Sequence, residues 1–202
     1  MDSNDWDERY SAHELVWSTG PNSFVEKIVG GLEPGRALDL AAGEGRNAIW
    51  MAQQGWHVDA VDYSGVALER ADQLAARAGV ADRLTTRVAD VVTSRFDAVY
   101  DLVLLSYLQL PAEQMRTVLL VAVDALVPGG HVLVVGHASK NLTDGYGGPQ
   151  DPAVLYDPPQ LVADAVGLPV TVHRAELCER VTTDADGTEQ VAIDTVVLLE
   201  RT

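Results

Sequence analysis

Asp39, Glu44 and Asp62 are the acids on which the chemistry of this chain turns, because of the runs that hold them. Ala37-Leu38-Asp39-Leu40 is a short apolar run that leads into Ala41-Ala42-Gly43-Glu44-Gly45-Arg46-Asn47. A second run, Trp56-His57-Val58-Asp59-Ala60-Val61, ends in Asp62-Tyr63-Ser64. Strand, glycine turn, helix, strand and terminal acid make the first β-α-β unit of a nucleotide-binding sheet. The glycines let backbone approach a ligand closely, and the acid after the second strand suits the two hydroxyls of a ribose. Charge narrows the ligand further. A pyrophosphate would meet two carboxylates, Asp39 and Glu44, whereas a nucleoside carrying an ammonium and a sulfonium would be attracted.

The elements that must position these acids alternate in type. Asn22 to Gly31 has helical spacing, with Pro21-Asn22 as start and Gly30-Gly31 as stop. Helices are expected at Gly45 to Gln54, at Ser64 to Ala78 with Ser64 as cap, and at Pro111 to Leu126. Leu84 to Val88 and Asp101 to Leu105 read as strands, the latter continuously apolar and so central, and Gly130 to Gly136 reads as a buried strand. Ala138 to Tyr156 is a long Gly/Pro-rich loop past a central strand, the kind of place that carries function. Asp157-Pro158-Pro159 opens a helix to Val166. Pro169 to Thr183 and Glu189 to Arg201 then alternate as two strands around the turn Asp184-Ala185-Asp186-Gly187. The fold class expected is α/β, a Rossmann-like seven-stranded, mostly parallel sheet with an antiparallel C-terminal hairpin and helices on both faces.

Five motifs in this order resemble the class I methyltransferases that use S-adenosyl-L-methionine (SAM). They are the turn after Asp39, in which Ala41 replaces the first glycine; Asp62-Tyr63; Ala89-Asp90-Val91; Tyr100 to Ser106; and Val127-Pro128-Gly129-Gly130 leading into Val135. The resemblance covers about Gly35 to Thr202. It implies that Asp39, Ala41, Gly43 and Gly45 hold the methionine end and that Asp62 accepts the ribose hydroxyls. Tyr63 would lie against adenine, Asp90 would accept its amino group, and Ala89 and Val91 would pack beside the ring. Leu105 would lie under the methyl donor. Arg46 and Asn47 either pair with the cofactor carboxylate or anchor the helix start.

The acceptor side is drawn from Tyr107 past the fourth strand and from His137 and Tyr146 at and beyond the fifth. Tyr107 either orients the acceptor or forms pocket wall. His137 is a candidate general base for a hydroxyl acceptor, since its unperturbed pKa is near 6.5. The amino terminus carries Trp6, Tyr10 and Trp17. This stretch resembles the cover of the tellurite-resistance and thiopurine-methyltransferase-like branch, which implies that Tyr10 and Trp17 touch ligand. A surface helix whose aromatics pack on the domain is the alternative.

Composition frames the rest. The 202 residues suit one domain, with 1–33 as a helical cover and 35–202 as the SAM-binding core. Fourteen Lys and Arg against 30 Asp and Glu leave a net charge of -16, which argues against nucleic acid or an anionic membrane and for a small-molecule acceptor. The polar, acidic start reads as no signal peptide, and the lone Cys178 fits a reducing cytoplasm. No window reaches a membrane-spanning length; Val118 to Val135 is broken by Asp124 and Pro128-Gly129-Gly130. His13, His57, His131 and His173 are scattered without ligand spacing, so no metal site is expected. Two other readings stay open: an NAD(P)-dependent oxidoreductase, because Gly43-x-Gly45-x-x-Ala48 fits the looser dinucleotide pattern, and a non-catalytic SAM-binding module. Oligomeric state is not written in these residues.

Overall fold

A computed structural model describes Asp7, residues 20–184 and residues 186–202. In chain order the elements are α1 (Ser23–Val29), β1 (Arg36–Leu40), α2 (Arg46–Gln53), β2 (His57–Asp62), α3 (Gly65–Arg77), β3 (Leu84–Val88) and β4 (Tyr100–Ser106). There follow α4 (Ala112–Ala125), β5 (Leu126–His137), α5 (Asn141–Asp144), α6 (Pro158–Asp164), β6 (Val170–Thr183) and β7 (Glu189–Arg201). The strands form one sheet in the order β3-β2-β1-β4-β5-β7-β6. All neighbours are parallel except β7, which runs antiparallel to both β5 and β6. That is the expected fold class.

Strand order reverses between β1 and β4, and such a reversal opens a crevice at the carboxyl ends of the two strands. The register aligns those ends: Leu40 pairs with Val61 on one side and with Leu105 on the other. Ala41, Asp62 and Ser106 therefore emerge side by side at the rim.

Both sheet faces are covered, as the continuous apolar runs require. Alternate residues point to opposite faces. Leu38, Leu40, Val103 and Leu105 pack with Met115, Leu119 and Leu161 of α4 and α6. Ala37, Leu102, Leu104 and Val135 pack with Val25, Ala48, Met51 and Trp56 on the other side. The expected caps are in place. The Asn22 side chain accepts from the Phe24 and Val25 amides at 2.9 and 3.2 Å, and Ser64 Oγ accepts from the Ala67 amide at 3.1 Å.

Two boundaries differ from expectation. β5 begins at Leu126 rather than Gly130, because Leu126 already pairs with Tyr100 across a register shift. The stretch 138–156 is less irregular than its Gly/Pro content suggests: it contains α5 and a 3₁₀ turn at Pro152–Val154. Its anchor is the buried Asn141, whose Oδ1 accepts from the Ile193 amide at 2.7 Å while Nδ2 donates to the Gly147 carbonyl at 2.9 Å. One amide side chain thus ties the loop to β7. At the far end of the hairpin, Asp184 Oδ1 accepts from the Asp186 and Thr188 amides, as a turn-forming Asp does.

Candidate functional site

A cavity of about 440 Å³ occupies the crevice. Its wall is built by Ala41 to Gly43, by Arg46 and Asn47 at the head of α2, by Asp62-Tyr63, by 89–93 after β3, and by 106–110 with Gln114. Of the expected cofactor residues, Ala41, Gly43, Arg46, Asn47, Asp62, Tyr63, Ala89, Asp90 and Val91 meet here. Asp39, Gly45 and Leu105 do not reach the wall.

Asp62 is 5% exposed; its Oδ2 accepts from the Gly43 amide at 2.8 Å and its Oδ1 from the Ser64 amide at 2.9 Å. One carboxylate therefore shapes the glycine turn and caps the entry to α3. Burial pushes its pKa up, against the pull of those backbone donors. Ser64 also donates its hydroxyl to Asp7. Asp90 Oδ1 accepts from the Val92 amide at 2.8 Å, folding the segment after β3 into the wall.

Asp39 lies on the α2 side of β1, 1% exposed, and its Oδ2 has no hydrogen-bond partner among the described residues. Burial first, then the charge of Asp62, pushes its pKa up to about 7, opposed by Arg46 and the Ala48 amide. Gly45 has φ +79, and a Cβ there would stand 2.9 Å from the Ala71 methyl, so its role is close packing of α2 on α3. Leu105 has the wrong parity for the cavity: it points into the apolar layer with Leu38 and Leu40.

Glu44 corrects the charge expectation. Between Gly43 (φ +55) and Gly45 its side chain leaves toward α3, where it is 3% exposed and pairs with Arg70 at 2.9 Å. The acids left near the cavity are Asp39, Asp62 and Asp90. Ala41 adopts φ +64, so this residue keeps the left-handed turn that a glycine would adopt without strain.

Tyr107, with φ +57, is on the wall. Its hydroxyl donates to Asp194 Oδ2 at 2.8 Å and accepts from Asn22 Nδ2 at 3.1 Å. Burial and the Asp194 charge push the phenol well above its ordinary pKa. The Arg46 and Arg180 guanidiniums stand 5.8 and 5.6 Å from its ring centroid. Asn47 Oδ1 accepts the Asn22 amide at 2.9 Å, which ties the head of α2 to the cap of α1.

His137 lies one ring behind the wall, 4.9 Å from the Tyr107 ring, with Nδ1 3.2 Å from Asp194 Oδ1. Tyr146 is 41% exposed and outside the cavity wall, its backbone tied to Val191. Tyr10 and Trp17, like Trp6, lie outside the described residues. Asp194 and Arg180 were missed by sequence reasoning. Asp194 carried a signal: it is a lone acid in the apolar run Val191 to Val197. Arg180 carried none.

His131 and His173 are brought together rather than scattered, their rings 6.1 Å apart and His173 Nε2 2.5 Å from Glu200 Oε2. Among the described residues no group of three or more His, Cys, Asp or Glu is arranged to hold a metal ion, and no helix is long and apolar enough to cross a membrane.

The crevice carries two carboxylates, Asp62 and Asp90, on its wall. Its volume is ordinary for a small-molecule site. Ser106 Oγ on its wall also lacks a hydrogen-bond partner among the described residues, the state of a polar atom that a ligand or water satisfies.

Comparison with known proteins agrees. The methyltransferase domain family matches residues 37–130. Ubiquinone biosynthesis O-methyltransferase from Alkalilimnicola ehrlichii is 36% identical over 114 residues, 54% of this chain and 44% of that protein. The chain spans less than half the length of the curated relatives it matches. In fold it is similar to TehB from Haemophilus influenzae, with TM-score 0.72 and 15% identity over 100% of this chain and 68% of the other. It is equally similar to the N-methyltransferase NodS from Bradyrhizobium japonicum, in complex with S-adenosylhomocysteine, with TM-score 0.72 and 16% identity over 100% and 99% of the two chains. The motif order, the sheet topology and the crevice all agree with the match of residues 37–130 to the methyltransferase domain family.

Proposed function

We propose that this protein moves a methyl group from SAM to a small-molecule acceptor, acting as one domain over 1–202 with 1–33 as a cover on the 35–202 core. The observation that carries the reading is the crevice between β1 and β4, with a buried carboxylate, Asp62, at its rim. When bound, the cofactor supplies a methyl already activated by the positive charge on sulfur, which leaves the protein mainly the task of orientation.

Asp62 receives the ribose hydroxyls in charge-assisted bonds, and the turn from Ala41 to Gly45 with Asp39 holds the cationic end. Tyr63 and Val91 flank the adenine and Asp90 accepts from its amino group. Arg46 faces the carboxylate. Tyr107 shapes the acceptor side and His137 takes part in proton transfer. The net charge of -16 supports a small acceptor over a phosphate-rich partner, and a reducing cytoplasm suits the lone Cys178.

Calorimetric titration with SAM, S-adenosylhomocysteine and NAD(P)H tests the reading. Micromolar binding of the first two and none of the third is expected. Binding of NAD(P)H alone would turn the assignment to an oxidoreductase.

A further inference from the structure

We infer that Asp194, on the C-terminal hairpin, is a positioning residue that holds His137 as the proton acceptor for an O–H or S–H methyl acceptor. This rests on the methyltransferase reading above and assigns its acceptor class. Asp194 is fully buried and lies directly across the β5–β7 ladder from His137. His137 Nδ1 and Asp194 Oδ1 stand 3.2 Å apart, both are buried, and neither has a hydrogen-bond partner elsewhere among the described residues. Of the two neutral tautomers only one satisfies both. With the proton on Nδ1 the imidazole donates to the carboxylate; with the proton on Nε2 two lone pairs face each other in a dry site.

The other carboxylate oxygen is committed. Oδ2 accepts from Arg180 Nε at 2.7 Å and from the Tyr107 hydroxyl at 2.8 Å. Among the described residues, Asp194 from β7 and Tyr107 from the end of β4 stand against the ring, and Arg180 from β6 holds the far oxygen of Asp194. Burial raises the Asp194 pKa, but His137 and Arg180 together hold it below the usual carboxylate range, so it is ionised at neutral pH.

Nε2 then carries the free lone pair. Gly148, with φ +77, lies against the ring, and a Cβ there would stand 2.7 Å from Cδ2 and 2.9 Å from Cγ and Nε2. Any side chain at 148 would crowd the imidazole, Nε2 included. As the acceptor loses its proton, its O–H or S–H bond breaks, an N–H bond forms at Nε2, and the electron pair stays on oxygen or sulfur. The resulting imidazolium is stabilised by Asp194, the arrangement that orients a histidine base in other enzymes.

Long-range proton–nitrogen NMR on the full chain with labelled histidine reads the tautomer directly. The Nδ1–H form of neutral His137 is expected; the Nε2–H form in the wild type overturns the inference without any variant. In Asp194→Leu, or in the paired Arg180→Met/Asp194→Leu if the first fails to fold, the tautomer should shift toward Nε2–H. Thiophenol, phenol and aniline serve as probe acceptors. In Asp194→Asn, and in Gly148→Ala, kcat with thiophenol or phenol should fall at least about tenfold while SAM affinity stays within about twofold. Methylation of aniline alone by the wild type overturns the acceptor class. Titration of the same sample with SAM separates the two failures. No SAM binding defeats the methyltransferase reading, whereas SAM binding with an Nε2–H tautomer defeats only this inference.

Discussion

Asp39→Asn should stabilise the ligand-free protein, and more so at high pH than at low. The fold holds this carboxyl in a site where burial and the neighbouring Asp62 raise its pKa from an ordinary 3.8 to about 7. An acid raised in the folded state contributes stability that is fully present below the unfolded pKa and is lost as pH rises through the folded one. At about 1.4 kcal/mol per pH unit, the whole loss between pH 3.8 and about 7 is of order 4 kcal/mol. By pH 5 roughly a third of it has gone, so about 3 kcal/mol separates pH 5 from pH 8. Asparagine has no charge to desolvate and keeps an oxygen for the Ala48 amide. Thermal unfolding of both proteins at the two pH values reads the difference. The variant's Tm advantage at pH 8 should exceed that at pH 5 by roughly 5–10 °C for a domain of this size. Equal Tm differences at both pH values, or a variant less stable at pH 8, would refute the account of a strained carboxylate.

Asp62→Ala removes the acceptor of the Gly43 and Ser64 amides as well as the proposed ribose contact. SAM affinity should fall by at least about 1.5 kcal/mol, roughly tenfold, and Tm should drop with it; calorimetry and a melting curve read the two effects. Arg201→Met tests a structural cation at the end of the chain. Its Nη1 donates to the carbonyls of Val123, Asp124 and Leu126 where α4 ends, so its loss should cost about 1–2 kcal/mol in denaturant unfolding without changing SAM affinity.

Local pattern made the cofactor half legible. A strand, a turn with left-handed residues and a helix follow from three or four neighbouring residue types, so Gly43, Asp62 and Asp90 could be placed on a rim before any coordinates. Parity is where that legibility ended. Leu105 sits at the end of a site strand but points to the apolar face, and no single run of sequence states which face a central strand turns toward the ligand, because both are apolar. Glu44 failed for a related reason: its charge was visible, but its partner Arg70 lies 26 residues away on α3.

The sequence by itself determined the order of elements, the antiparallel hairpin and the place of Asp62 after β2, since each depends on neighbours along the chain. Only the tertiary structure decided which side chains meet across strands. Tyr107 and His137 come from the ends of β4 and β5, Arg180 and Asp194 from within β6 and β7, and their pairing is set by sheet register and by the expulsion of water from between them. A buried carboxylate must find donors wherever the fold supplies them, and those donors are neighbours in space rather than in sequence.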